Sequence, residues 1–365
     1  MRKQVIQEQK SKHGRAAMAV LPIHYPKELL TAMDILAVEL WGPPGSPRGA
    51  QVGRLQAYVC ALARNALAFI AQGGIELVDG VLFPHTCDSI QGLATQLPDF
   101  GGADMPAFRY RAPKGEPRPS ARAFVRREIA HLAEGFAEMT GTPLDPERLR
   151  WALELHQEID AQRAALLDQR ARLDLSDRAL YDLLRRGEYL WPEDHLAELR
   201  QATDRLRDEP VQTGTPLLVS GIVPEPMSLL DHLAEAGAYV AADDFAAVGR
   251  RVVRTPVPVS GDPLDALTDR MLAAPPCSTR IATLDGRLAH LDRLYSQGRC
   301  QGMILQAVQF CEPELFDVAG LRKHFTDRGV PFLVLDSELE AELSGRAVTR
   351  LEAFVEMVAQ PRGDA

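Results

Sequence analysis

VDGVLFPHTCDSIQGL, residues 78–93, and QGMILQAVQFCEPELFD, residues 301–317, are built alike. In each, an apolar run of strand length ends, a cysteine follows, and an acidic residue comes next. Helix formers succeed both. Near-continuous apolar runs of this length suit strands buried on both faces of a parallel sheet. If both runs are strands, Cys87 and Cys311 sit at carboxyl edges, where open α/β folds place their chemistry.

The texture outward from these stretches supports the same fold class. Residues 27–42 read as a helix running into a short strand. Pro43-Pro44-Gly45-Ser46-Pro47 reads as a rigid loop. Residues 53–71 carry strong helix formers, with Leu55, Tyr58, Val59, Leu62, Ala66, Phe69 and Ile70 roughly on one face and Cys60 beside it. Gly73-Gly74 closes that pattern, and 76–83 reads as the next strand. From about Ser120 to Arg207 the periodicity is helical, punctuated by Pro143, Pro146 and Pro192. At 217–221 a buried-type strand, LLVSG, restores the α/β pattern. A helix over 226–236 and a strand ending at Asp243-Asp244 follow it. Further helices are expected at 282–296, 319–328 and 348–359, and strands at 303–310 and 330–335. The expectation is an α/β protein with two Rossmann- or flavodoxin-like parallel-sheet lobes and a helical segment between them. The segments are 1–117 with Cys60 and Cys87, 118–208, and 209–365 with Cys311.

Composition narrows the function classes. The chain has 365 residues, 46% hydrophobic and 25% charged, with a formal net charge of −9, as expected of a globular protein with substantial cores. No basic stripe with interleaved aromatics argues for nucleic acid, and RPSARAFVRR at 118–127 reads as a solvated helix face. No signal peptide and no membrane span are visible, so a reducing cytoplasm is expected. Five scattered cysteines do not suggest a disulfide framework there. No GxGxxG follows a strand and no GxxxxGK[ST] occurs, which leaves dinucleotide use and P-loop ATP hydrolysis without support.

The chemistry-bearing candidates are few. Cys60, Cys87 and Cys311 each have a bland reading as small buried hydrophobes. The polar company of Cys87 (His85-Thr86 before it, Asp88-Ser89 after it) and the Glu312-Pro313 after Cys311 speak against that reading. Thiolates from separate elements can share an iron–sulfur cluster. Cys277, in a Pro-fixed loop, is either near the cleft or structural. Cys300, just before a strand, belongs to the far end of its sheet. His85 beside Cys87 also permits a Cys–His hydrolase reading, and His24 is a further polar candidate. Glu28 and Glu39 read first as surface charge and second as an acid–base pair.

The cysteines and their flanks resemble a known family. YPKELLTAMDILAVELWG (25–42), DGVLFPHTCDSIQGL (79–93), VSGIVPEPMSLLDHLAEAGAYVAADD (219–244), PPCSTR (275–280), QFCEPELFDVAGLRKHFTDRGVPFLVLDSE (309–338) and TRLEAFVEM (349–357) together resemble the 2-hydroxyacyl-CoA dehydratase D-component family, which includes two subunits of ATP-dependent benzoyl-CoA reductase. The resemblance implies one [4Fe–4S] cluster held by Cys60, Cys87 and Cys311; on position alone, His85 and Ser89 are candidates for polar groups around it. It also implies a homologous cluster-binding partner subunit, an acyl-CoA substrate between the lobes, and a separate ATP-hydrolysing activator with its own iron–sulfur cluster. The implied chemistry is 2-hydroxyacyl-CoA dehydration through a ketyl radical, or aromatic-ring reduction. An electron-relay or scaffold subunit is the alternative within the family. Arg109, Arg111 and Lys114 are candidates for the CoA phosphates, against a role in ordinary loop salt bridges. One departure concerns Cys60, which stands in YVCALARNAL where the family has a turn-like context.

Overall fold

The computed structural model describes residues 2–42, 55–56, 58–100, 105–115, 118–280 and 282–360. Two four-stranded sheets organise them. The first holds β1 (Ala16–Val20), β2 (Ile35–Glu39), β3 (Gly80–Pro84) and β4 (Ala107–Tyr110) in the order β2-β1-β3-β4. The second holds β5 (Thr215–Gly221), β6 (Ala238–Phe245), β7 (Gly302–Val308) and β8 (Phe332–Ser337) in the order β6-β5-β7-β8. Every pairing is parallel, so each lobe repeats one flavodoxin-like winding.

Helices cover both sheets. In the first half these are α1 (Arg2–His13), α2 (Lys27–Ala32), α3 (Ala61–Ala71) and α4 (Asp88–Phe100). Between the sheets come α5 (Pro119–Thr140), α6 (Pro146–Asp168), α7 (Asp177–Arg185) and α8 (Pro192–Thr203). The second half adds α9 (Ser228–Glu235), α10 (Pro263–Ala273), α11 (Leu284–Gln297), α12 (Glu312–Asp327) and α13 (Gly345–Ala359). Local signals set several ends. Pro146 opens α6 behind Asp145, whose side chain accepts from the Glu147 N–H, and Gly141 closes α5 at φ 73°.

The strand period sorts the core. Val81 and Phe83 of β3 face one apolar cluster while Leu82 faces another, and β7 divides Ile304 and Val308 from Met303 and Leu305 in the same way. The largest cluster runs from Ala19, Leu36 and Val81 of the first sheet, past Leu166 of α6 and Leu199 of α8, to Leu217 and Ile304 of the second. The helices between the sheets therefore help join them. On its outer face the first sheet packs Met18 and Leu82 against Ile129 of α5, Leu153 of α6 and Leu267 of α10.

Several boundaries differ from the sequence expectation. The helix expected over 53–71 begins at Ala61 among the described residues, with Cys60 as its N-cap in extended conformation (φ −60°, ψ 153°). Residues 76–79 are not strand, and β3 starts at Gly80. The helix expected from 319 starts at Glu312, directly after Cys311. The proline-rich loop at 43–47 lies outside the described residues. No described helix is long and apolar enough to cross a membrane.

Candidate functional site

Cys87 and Cys311 occupy matching places in the two lobes. Each follows the third strand of its winding, and each immediately precedes a helix, α4 for Cys87 and α12 for Cys311. Cys60 caps α3, the helix that crosses from β2 to β3. Three helix starts thus bring three sulfur atoms to one small cavity between the sheets. Trp41, Ile23 and Ile222 supply apolar wall, and Thr86 and Thr279 supply hydroxyls.

The thiols share more than a cavity. Each stands close enough to raise a neighbour's pKa, Cys87 acting on Cys60, and both acting on Cys311. Burial is the larger cause: it pushes Cys60 up to about 11, Cys87 up, and Cys311 well up. Opposing this, backbone N–H groups of the first helical turn donate to each sulfur: Ala63 and Leu62 to Cys60, Ile90 and Ser89 to Cys87, Glu314 to Cys311. The Thr86 hydroxyl also donates to Cys87. Free, these thiols stay protonated and are poor nucleophiles. Joined to a positive inorganic centre they become thiolates whose charge the three helix starts already face.

That donor set fits an iron–sulfur cluster. All five cysteines are free of disulfides. Among the described residues no three or more His, Cys, Asp or Glu side chains stand close enough to hold a single metal ion. Cluster thiolates bind different irons, so they stand farther apart than donors of one ion.

Cys311 is anchored from behind. Glu314, in the first turn of α12, is buried and accepts from Arg250 and Arg287, each at 2.9 Å, and from Ser278 at 2.8 Å. Burial alone would raise this carboxyl, but the two guanidiniums outweigh it and hold it below its ordinary range. Arg250, itself fully buried, also grips Asp244 at 2.9 Å at the end of β6 and reaches Cys277 Sγ at 3.4 Å. Nothing in the sequence marked this network beyond an acidic first turn and a cysteine after two prolines.

The remaining candidates fall as follows. Ser89 gives its backbone N–H to Cys87. His85 is half-buried, donates its backbone N–H to Tyr110 and lies outside the cavity lining. Burial, then Lys114, lowers its pKa, and among the described residues no hydrogen bond ties its ring to a thiol. Cys277 is buried, 3.1 Å from the Thr279 hydroxyl, outside the cavity. Cys300 is buried at the opposite end of β7 from Cys311, and burial pushes it up to about 12. His24 binds Thr279 at 3.1 Å. Glu28 and Glu39 are not surface charges: both are buried, Glu28 2.5 Å from Arg270 and Glu39 2.8 Å from Arg251. Arg109, within β4, and Arg111 and Lys114, which follow it, are exposed, and no described carboxylate forms an ion pair with them.

Comparison with known proteins bears on the family of the chain. The model of the 2-hydroxyglutaryl-CoA dehydratase D-component matches residues 22–358. The chain belongs to this family. It is 22% identical over 362 residues to the lactoyl-CoA dehydratase subunit beta of Anaerotignum propionicum, covering 98% of this chain and 95% of that one. It is 21% identical over 360 residues to the (R)-phenyllactyl-CoA dehydratase beta subunit of Clostridium sporogenes, covering 97% and 95%. It is also 25% identical over 334 residues to a benzoyl-CoA reductase subunit of Thauera aromatica, covering 88% and 85%. This 2-hydroxyglutaryl-CoA dehydratase D-component family member therefore spans nearly the full length of its dehydratase relatives.

Proposed function

We propose that this chain is the cluster-binding subunit of a low-potential enzyme that acts on an acyl-CoA thioester, with Cys60, Cys87 and Cys311 holding one [4Fe–4S] cluster. The observation that carries the reading is the convergence of three thiols, each at the start of a helix, on one cavity between the sheets. When bound, the cluster supplies one-electron transfer to the thioester, for 2-hydroxyacyl dehydration or for ring reduction of an aromatic acyl group.

The protein's own part is containment and tuning. N–H donors of α3, α4 and α12 stabilise negative charge on the sulfurs, which favours the reduced state. Trp41, Ile23 and Ile222 keep water from the cavity. His85 and Ser89 add polar groups on the Cys87 side. Arg109, Arg111 and Lys114 suit the phosphates of coenzyme A. A homologous subunit forms the rest of the substrate cleft, and a separate activator with its own iron–sulfur cluster couples ATP hydrolysis to electron delivery. The raised thiol pKa values and the unlinked His85 ring weigh against thioester hydrolysis by a Cys–His pair.

The test is anaerobic purification with the partner subunits, followed by iron and sulfide analysis and electron paramagnetic resonance. We expect about four irons for this chain. Replacing Cys60, Cys87 or Cys311 by serine removes or degrades the signal, and Cys300→Ser leaves it. A full signal surviving all three single replacements overturns the ligand assignment. Turnover of 2-hydroxyacyl-CoA against benzoyl-CoA then separates dehydration from ring reduction. A full cluster without turnover of any thioester marks the chain as an electron relay.

A further inference from the structure

Beside the cysteine cavity lies a second one, of about 80 Å³, lined by residues from α2, α6, α10 and the segments flanking α10. His24 belongs to its wall and bonds Thr279 of the cysteine cavity, so one hydrogen bond links the two. Its wall is rich in positive charge, and the charges do not balance.

Two of its cations are matched. Arg270 meets Glu28 at 2.5 Å and Asp160 at 2.6 Å, and Arg251 meets Glu39 at 2.8 Å. Lys27 shares Glu39 at 3.8 Å and donates to the Gly187 carbonyl. Arg163 and Arg280 are different. Both are buried, 9% and 6% exposed, and no described carboxylate pairs with either. Among the described residues Arg163 donates a hydrogen bond only to the Leu184 carbonyl, at 3.4 Å. Among the described residues Arg280 donates only to carbonyls, of Met271 at 2.8 Å and of Ala274 and Pro275. Moreover, Arg163 Nε, Arg270 Nη1 and Arg280 Nε are buried without a hydrogen-bond partner. Buried guanidinium N–H groups are normally satisfied, and a buried charge without a counter-charge is costly. Carbonyls and water solvate a guanidinium but do not neutralise it.

We propose that this cavity is a binding site for a small carboxylate, held by Arg163 and Arg280 with Arg270 completing its hydrogen bonds. A carboxylate matches the planar guanidinium fork and supplies lone pairs for the three unpartnered nitrogens. The carboxylate is free in solution, or it is the terminus of an anionic acyl chain. The second source rests on the acyl-CoA reading above; the site itself does not.

The experiment uses the full chain and reads binding without turnover. Acetate is titrated by calorimetry and thermal unfolding in a zwitterionic buffer, with chloride at matched ionic strength as control. Saturable acetate binding is expected, with a melting-temperature rise on the order of a few degrees at saturation. Arg163→Gln and Arg280→Gln are expected to weaken acetate binding at least tenfold. In acetate-free buffer each variant is expected to melt no lower than the parent, because an uncompensated charge is gone. An arginine that merely holds the fold gives the opposite sign in that buffer. Succinyl-CoA competing with acetate where butyryl-CoA does not assigns the site to an acyl terminus; competition by neither assigns it to a free carboxylate. No saturable acetate binding by the parent chain, or unchanged affinity in both variants, overturns the proposal and leaves the acyl-CoA reading untouched.

Discussion

Glu314 shows what one side chain decides at this site. It lies three residues after Cys311, gives its backbone N–H to that sulfur, and fixes its carboxylate between Arg250 and Arg287. Removing one partner of a buried ion pair leaves the other charge unmatched, at a cost of about 3–5 kcal/mol. In Glu314→Ala, Arg250 keeps Asp244 and Arg287 keeps Asp317 at 2.7 Å, so the loss in urea unfolding is expected to stay at or below about 3 kcal/mol. Glu314→Gln keeps the shape and part of the hydrogen bonding, so it should fall between. Equal stability of Glu314→Ala and parent would remove the anchor from the account. Glu28 and Glu39 teach the same lesson about reading. From sequence they are solvent charge, because their partners Arg270 and Arg251 lie 242 and 212 residues later. Ion pairs closed across such separations leave no local trace. Cys87 and Cys311 were legible because each sits where an apolar run stops.

Elements were read best where the apolar run was long and worst where a helix starts. The third strands and their cysteines could be seen, as could the four helices between the sheets. The position of Cys60 could not. Tyr58, Val59 and Leu62 continue a helical period, yet the described chain turns at 58–59 and the helix opens only at Ala61. Extended conformation at the cap frees the Leu62 and Ala63 N–H groups to face the sulfur, which a helix interior forbids. AAMAV of β1 was too short a run to separate from the prolines after it. The contact between β2 and α3 gives the prediction at this scale. Gly42, just beyond Trp41, holds φ +70°, and a Cβ there would stand 2.5 Å from the Leu62 carbonyl and 2.9 Å from the Ala66 nitrogen. Both are backbone atoms and cannot swing aside. Gly42→Ala must push α3 away or change the strand exit, at a cost of roughly 2 kcal/mol or more. Because α3 carries Cys60, the same variant is expected to lower iron content after anaerobic reconstitution. Parent-like melting and iron content would show that this close approach does not position Cys60.

At the scale of the molecule, two copies of one winding and the helices between them enclose a charged interior that no local pattern in the chain foretells. Two buried histidines, His156 and His195, and the half-buried His24 lie near it. Burial, followed by Arg280 and Arg251, holds His24 well below its usual range. Burial holds His156 down to about 3 against the pull of Glu28, and burial with Arg163 and Lys27 holds His195 well down. Each is therefore neutral in the folded chain and takes a proton near pH 6.5 once unfolded. A base whose folded pKa is depressed contributes fully above its unfolded pKa and loses that contribution as pH falls through 6.5. At pH 5.5 the loss from His156 is about 1.4 kcal/mol, and His24 and His195 add losses in the same direction. Glu39, drawn down to about 2 by Arg251 and Lys27 despite burial, adds its own loss only below about 4.5, so the two windows separate. Urea unfolding at pH 7.5 and 5.5 is expected to show this fall, with His156→Gln reducing it by about 1 kcal/mol. A stability that stays level from pH 7.5 to 5.5 would mean that these imidazoles are reached by protons in the native state, and that the interior between the sheets is open to water.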